Sequence, residues 1–127
     1  MDAILEQRKE AERRERVERI VSAGKKVLLE KGYFETTIRD IAREAALSPG
    51  TIYYYFTGID EIYSRICEEA FEIVLRLLNG ARSDGSSVLD RLRSLAGAYF
   101  TFYSEYNDYF QLFIFHDRGY RKVGLER

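Results

Sequence analysis

From Val17 onward the apolar positions fall at Val17, Ile20, Val21, Gly24, Val27 and Leu28, a three-and-four spacing that keeps them on one face of a helix. The pattern predicts a helix closing near Glu30, with Gly32 as its C-terminal cap. Gly24 in mid-helix costs about 1 kcal/mol against alanine, so close helix packing is expected there. Tyr33 and Phe34 follow the cap and are expected to fill the core beneath the next elements. Ile38, Ile41, Ala42 and Ala45 then form a second inner stripe, with Arg39, Arg43 and Glu44 on the wet side. Thr37 with Asp40 three residues on predicts a capping box at the start of this helix. A third helix opens at Ser48, a capping residue, followed by Pro49 in the first helical position. In it Ile52 is expected to pack against Ile41 and Ala45, and Phe56 continues the inner stripe. Only Ala46 and Leu47 separate the two short helices, which is helix-turn-helix spacing, the second helix being the one offered to a DNA groove.

The remaining pattern is also helical. Ile62, Ile66, Cys67, Ala70, Phe71, Val74, Leu77 and Leu78 predict a helix over about Ile59 to Leu78. The run NGARSDGSS, from Asn79 to Ser87, reads as a loop whose Ser86 or Ser87 caps the next helix. There Val88, Leu92, Leu95, Ala96, Tyr99, Phe102, Tyr103 and Tyr106 repeat at helical spacing. Ahead of Val17, residues 1–16 alternate in charge; Glu12 and Arg16, and Glu15 and Arg19, stand at favourable helical pair spacing. This stretch reads as an exposed helical or frayed lead-in. Arg8, Lys9, Arg13 and Arg14 offer the alternative of an arm reaching DNA. The pattern as a whole is all-α.

Composition changes this picture little. Hydrophobic residues make up 46% and charged residues 32% of the 127-residue chain, which suits a globular protein of one or two small domains. A single cysteine, Cys67, excludes an internal disulfide, fits a reducing compartment and reads as core filling. No apolar run reaches the roughly 18 residues of a membrane span, and the charged N-terminus is unlike a secretory signal. Net charge is −1. Residues 1–56 hold eleven Lys/Arg against ten Asp/Glu, so any phosphate binding depends on local placement rather than on a basic stripe.

Three consecutive tyrosines, Tyr53, Tyr54 and Tyr55, cannot all be buried on one helix. Each offers a flat apolar ring and a hydroxyl, suited to sugar and base edges and to phosphate. Thr51 can bond a base edge or set its methyl against thymine, Gly50 leaves room for close backbone approach, and Arg39 suits a phosphate contact. His116, the only histidine, cannot make a metal site alone. The sequence holds no nucleophile–base set, metal-ligand cluster or glycine-rich phosphate loop, so an enzyme is disfavoured and no cofactor is expected.

The runs VERIVSAGKKVLLEKGYFETT (Val17–Thr37), IRDIAREAALS (Ile38–Ser48) and PGTIYYYF (Pro49–Phe56) together resemble, from Val17 to Ile62, the DNA-binding domain of TetR-type transcriptional regulators. The resemblance implies a three-helix DNA-binding domain followed by part of a helical ligand-binding and dimerisation domain. It divides the chain into an N-terminal extension (1–16), a helix-turn-helix domain (17–58) and an effector-binding and dimerisation domain (59–127) that lacks its C-terminal helices. The chain is therefore expected to be a piece of a longer protein, the alternative being a shortened member that pairs differently. Pro49, Gly50, Thr51 and Tyr53 match positions that face DNA, and Tyr54 and Tyr55 match positions near its backbone. With Thr37, Arg39 and Ser48 they make up the candidate DNA-binding set. The resemblance also implies a cytoplasmic homodimer that binds double-stranded DNA, acts as a repressor on a palindromic operator, and is released by a small-molecule effector.

An aromatic-walled pocket for a flat or apolar effector would use Tyr99, Phe102, Tyr103, Tyr106, Phe110 and Phe113; the alternative for these rings is helix-packing core and subunit interface. Two departures stand out. Ala46 occupies a turn position where the family commonly has glycine, and the turn is expected to shift to avoid a left-handed alanine. Thr57, Gly58 and Ile59, then Asp60 and Glu61, stand where lysines commonly clamp the DNA backbone, so binding weaker or more salt-sensitive than the family norm is expected. A helical interaction or scaffold module without specific DNA binding is the competing reading.

Overall fold

A computed structural model describes residues 1–81 and 87–112. It contains five helices: α1 (Asp2–Lys31), α2 (Ile38–Ala45), α3 (Pro49–Tyr55), α4 (Ile59–Gly80) and α5 (Val88–Glu105). Residues 107–112 are helical again after a bend at Tyr106. Two compact units form, one over residues 1–65 and a second that begins at Ile66, within α4.

The first unit is built as the apolar pattern dictates. In α1 the stripe Ile20, Val21, Gly24, Val27 and Leu28 is buried, joined by Ala23. α1 lies against α2, and α2 against α3. Ile38, Ile41, Ala42 and Ala45 of α2, Ile52 of α3, Phe56 and Ile62 complete the core. α1 ends where Gly32 takes a positive φ of 83° and returns its N–H to the Leu28 carbonyl at 2.9 Å. That left-handed position suits a residue without a Cβ.

Several expectations need correction. The lead-in is helical and exposed throughout, one of the two expected forms, but it does not stand ahead of α1: residues 2–16 are its first half. Of the two charge pairs expected there, Glu15–Arg19 reaches only 3.9 Å and Glu12–Arg16 does not form. Phe34 does not enter the core; the turn after Gly32 leaves it 68% exposed. Half-buried Tyr33 takes the inner place alone, its ring edge-on to both Phe34 (5.3 Å) and Tyr63 (5.4 Å).

In the second unit Ser87 caps α5 by accepting the Asp90 N–H at 3.2 Å, as its residue type predicted. The α5 stripe is otherwise turned outward. Val88, Leu92, Leu95, Tyr99 and Tyr103 are exposed, while Ala98 and Phe102, one turn apart, are the buried pair. Ser86 and most of the loop before it, together with Phe113, His116 and the glycines near the C-terminus, lie outside the described residues.

Candidate nucleic-acid interface

The helix pair is fixed by local hydrogen bonds that its own side chains supply. Thr37 Oγ1 accepts the Asp40 N–H at 3.2 Å, and the Asp40 carboxylate accepts the Thr37 N–H at 3.1 Å, so the capping box is complete. The same carboxylate pairs with Lys31 of α1 at 3.0 Å. The Thr37 hydroxyl hydrogen bond, then those of Lys31 and the Thr37 backbone, lower its pKa from 3.8 to about 2. At the start of α3, Ser48 Oγ accepts the Thr51 N–H at 3.1 Å and bonds the Thr51 hydroxyl at 2.8 Å. Pro49 follows at the first helical position, where its missing N–H costs nothing.

The turn between the helices does not shift to spare its alanine. Ala46 adopts φ 54° and ψ 44°, the left-handed region, at a cost of roughly 1–2 kcal/mol for a residue with a Cβ. Two backbone bonds hold it there: Leu47 N–H to the Ala42 carbonyl at 2.9 Å and Ala46 N–H to the Arg43 carbonyl at 3.2 Å. This is the Schellman closure of a helix C-terminus. A third fastening was not legible in the sequence. Arg19 of α1 donates from Nε to the Ala45 carbonyl at 2.7 Å and from Nη2 to the Ala46 carbonyl at 3.5 Å. A cation at a helix C-terminus satisfies orphan carbonyls and opposes the negative end of the dipole.

With Ile52 fully buried beneath it, α3 holds its other faces outward. Tyr54 is 81% and Tyr53 57% exposed, and Tyr55 is half-buried with its ring edge-on to Tyr54 at 4.9 Å. Ser48, Pro49 and Gly50 are exposed and Thr51 is half-buried. A Cβ added at Gly50 would meet only Ser48 Oγ, at an ordinary 3.9 Å. None of the described residues requires glycine there, and the space it leaves is open to an outside molecule. Arg39 and Arg43 are exposed on α2 and make no hydrogen bond or ion pair among the described residues. Lys26 and Lys31, in contrast, are neutralised by Glu44 at 2.7 Å and Asp40 at 3.0 Å.

The start of α4 offers no cation. Thr57 donates both its N–H and its hydroxyl to the Glu61 carboxylate, each at 2.7 Å. These bonds, the backbone one first, lower the Glu61 pKa. Glu61 is thus a helix cap held ionised, and the Thr57 N–H is already taken.

In the second unit a cavity of about 430 Å³ is lined by Phe71, Val74, Leu77 and Leu78 of α4, Ala98, Tyr99 and Phe102 of α5, and Phe110. Of the expected aromatic set, Tyr99, Phe102 and Phe110 line it. Tyr103 touches it only through Phe110, edge-on at 5.1 Å. Tyr106 stacks on Phe102 at 6.4 Å while its hydroxyl accepts from Arg76 at 3.1 Å. The α4 contribution was read only as a helix-packing stripe. Among the described residues no group of His, Cys, Asp or Glu has metal-binding geometry, and no helix is long and apolar enough to cross a membrane.

Two short helices in contact, a capped start to each and a closed two-residue turn define a helix-turn-helix domain with its second helix presented outward. Residues 20–66 match the family model described as bacterial regulatory proteins, tetR family. Over these residues, rather over a third of the chain, it is similar to the DNA-binding domain of that family. Among curated relatives, the HTH-type transcriptional regulator HbdR of Aromatoleum sp. (strain CIB) is 52% identical over 38% of this chain and 21% of its own length. The uncharacterized HTH-type transcriptional regulator YfiR of Bacillus subtilis (strain 168) is 37% identical over 47% of this chain and 29% of its own. The fold is similar to that of a TetR-like transcriptional regulator from Rhodococcus sp. RHA1 (TM-score 0.71, 22% identity), covering 76% of this chain and 53% of that one. The chain thus spans well under half the length of these curated relatives.

Proposed function

We propose that this chain is the DNA-binding part of a transcriptional regulator, and that α3 reads duplex DNA in the major groove. The observation that carries this reading is the outward face of α3, where exposed Tyr53 and Tyr54 stand beside a Gly50 that the packing of the described residues does not require. Thr51, Tyr53 and Pro49–Gly50 meet bases and the adjoining backbone, while Tyr54, Tyr55 and Arg39 meet sugar and phosphate. Thr37 and Ser48 act chiefly through their caps, which set the two helices. Two copies on a palindromic operator would occupy successive major grooves and block transcription.

The apolar cavity of the second unit supports the finer reading of a repressor released by an effector. Its lining of four aromatic rings and aliphatic side chains suits a flat or apolar molecule of modest size. Such a ligand shifts the protein toward release only by its difference in affinity for the two states. The test is titration of the protein against duplex from the region upstream of its own gene, at two salt concentrations, beside Tyr53→Ala. Salt-dependent, sequence-selective binding that Tyr53→Ala weakens at least tenfold, the loss of about one specific contact, is expected. Absence of salt-dependent binding would return the chain to the interaction-module reading.

A further inference from the structure

α1 runs without a break from Asp2, so its exposed first half is a helical rod of roughly 20 Å projecting from the core of the first unit. One side of that rod faces Tyr54 and Tyr55 across a cleft of about 830 Å³, lined among others by Glu6, Glu10, Arg13 and Arg16. The rod is mixed in charge overall, but the charge is not evenly spread. Residues 2–12 hold four acids against two bases, and residues 13–16 three bases against one acid. The basic end is the one that joins the core, whose first buried residue is Ile20.

Arg13 and Arg16 are exposed, and neither makes a hydrogen bond or ion pair among the described residues, although Glu12 stands one turn from Arg16. Arg19, three residues further on, is by contrast committed to the Ala45 carbonyl. Two uncommitted guanidiniums therefore share a cleft with two tyrosine rings at the end of α3. Planar cations with several fixed donors beside hydroxyl-bearing rings suit a sugar–phosphate chain, the rings against sugar and the guanidiniums on phosphate. At the start of α4 the equivalent role is closed, since Glu61 occupies the Thr57 N–H.

We propose that Arg13 and Arg16, with Tyr54 and Tyr55, form a second DNA-backbone site flanking the recognition helix. This rests on the DNA-binding reading above, and the acids on the same rod make the site weaker and less steeply salt-dependent than an all-basic one. The probe is duplex DNA from the region upstream of the gene, titrated with the full chain, Arg13→Gln/Arg16→Gln and Tyr53→Ala across a salt series. Both arginines are exposed, so the double variant keeps its helicity, which circular dichroism checks. For the double variant, the plot of log affinity against log salt is expected to flatten by about two, and affinity near 100 mM salt to fall on the order of ten- to a hundredfold. The loss is expected to be equal on specific and scrambled duplexes, because phosphate contacts carry no sequence information. Wild-type binding with an unchanged slope in the double variant overturns this inference and leaves the DNA-binding reading standing. No salt-dependent binding by the wild type overturns both.

Discussion

The Asp40 carboxylate closes the capping box on Thr37 and at the same time binds Lys31 of the neighbouring helix. Both interactions favour the ionised form, and the folded pKa of about 2 lies below the ordinary 3.8. A lowered acid contributes stability that is fully present above its ordinary pKa and is lost as pH falls through the folded value. Asp40→Asn is therefore expected to unfold more easily than the wild type near neutral pH, with the difference closing between about pH 4 and pH 2. Thermal unfolding of both proteins across that range checks it; a difference independent of pH would assign Asp40 no electrostatic role. This cap was legible in the sequence because its partners lie three residues apart. Ala46 was legible as an anomaly only. Its φ follows from the helix-closing bonds of its neighbours, which residue type alone does not reveal.

At the scale of elements, α2 and α3 were readable from periodicity because their inner stripes are short and sharply bounded by Thr37, Ser48 and Pro49. What fastens them to α1 was not. Arg19 looked like half of a helical pair with Glu15, yet its guanidinium spans 26 residues to the Ala45 carbonyl. No local pattern encodes a bond of that separation. Arg19→Met keeps most of the aliphatic stem and leaves the α2 carbonyls to water. The loss expected is about 1–2 kcal/mol of unfolding free energy, toward the low end for a hydrogen bond to a charged group because the Arg19 side chain is partly exposed, measured by urea denaturation. An unchanged midpoint would mean that the Schellman bonds hold the turn unaided. Phe34 failed for the opposite reason: its hydrophobicity was visible, but the chain reversal at Gly32 decides where it points.

At the scale of the whole molecule the two units differ in how far sequence carried. The first matches its apolar pattern nearly residue for residue, because one small core buries one stripe from each helix. In the second, most of the α5 stripe marks an exposed face; of its predicted members Phe102 is buried, joined by Ala98, which the stripe did not include. Periodicity identifies an apolar face but not the neighbour that covers it, and α4 and α5 each carry more apolar surface than the described residues bury. The effector reading therefore rests on a cavity whose α4 wall, Phe71, Val74, Leu77 and Leu78, periodicity could not tell from ordinary packing.

The central claim is that α3 reads bases, and selection from a randomised duplex library tests it most directly. Wild type and Thr51→Ala are each taken through the same selection and the enriched sequences compared. The account predicts that the wild type enriches a paired half-site motif, and that Thr51→Ala changes the preference at matching positions in both halves while leaving the rest. Identical motifs from the two proteins, or no enrichment by the wild type, would contradict it.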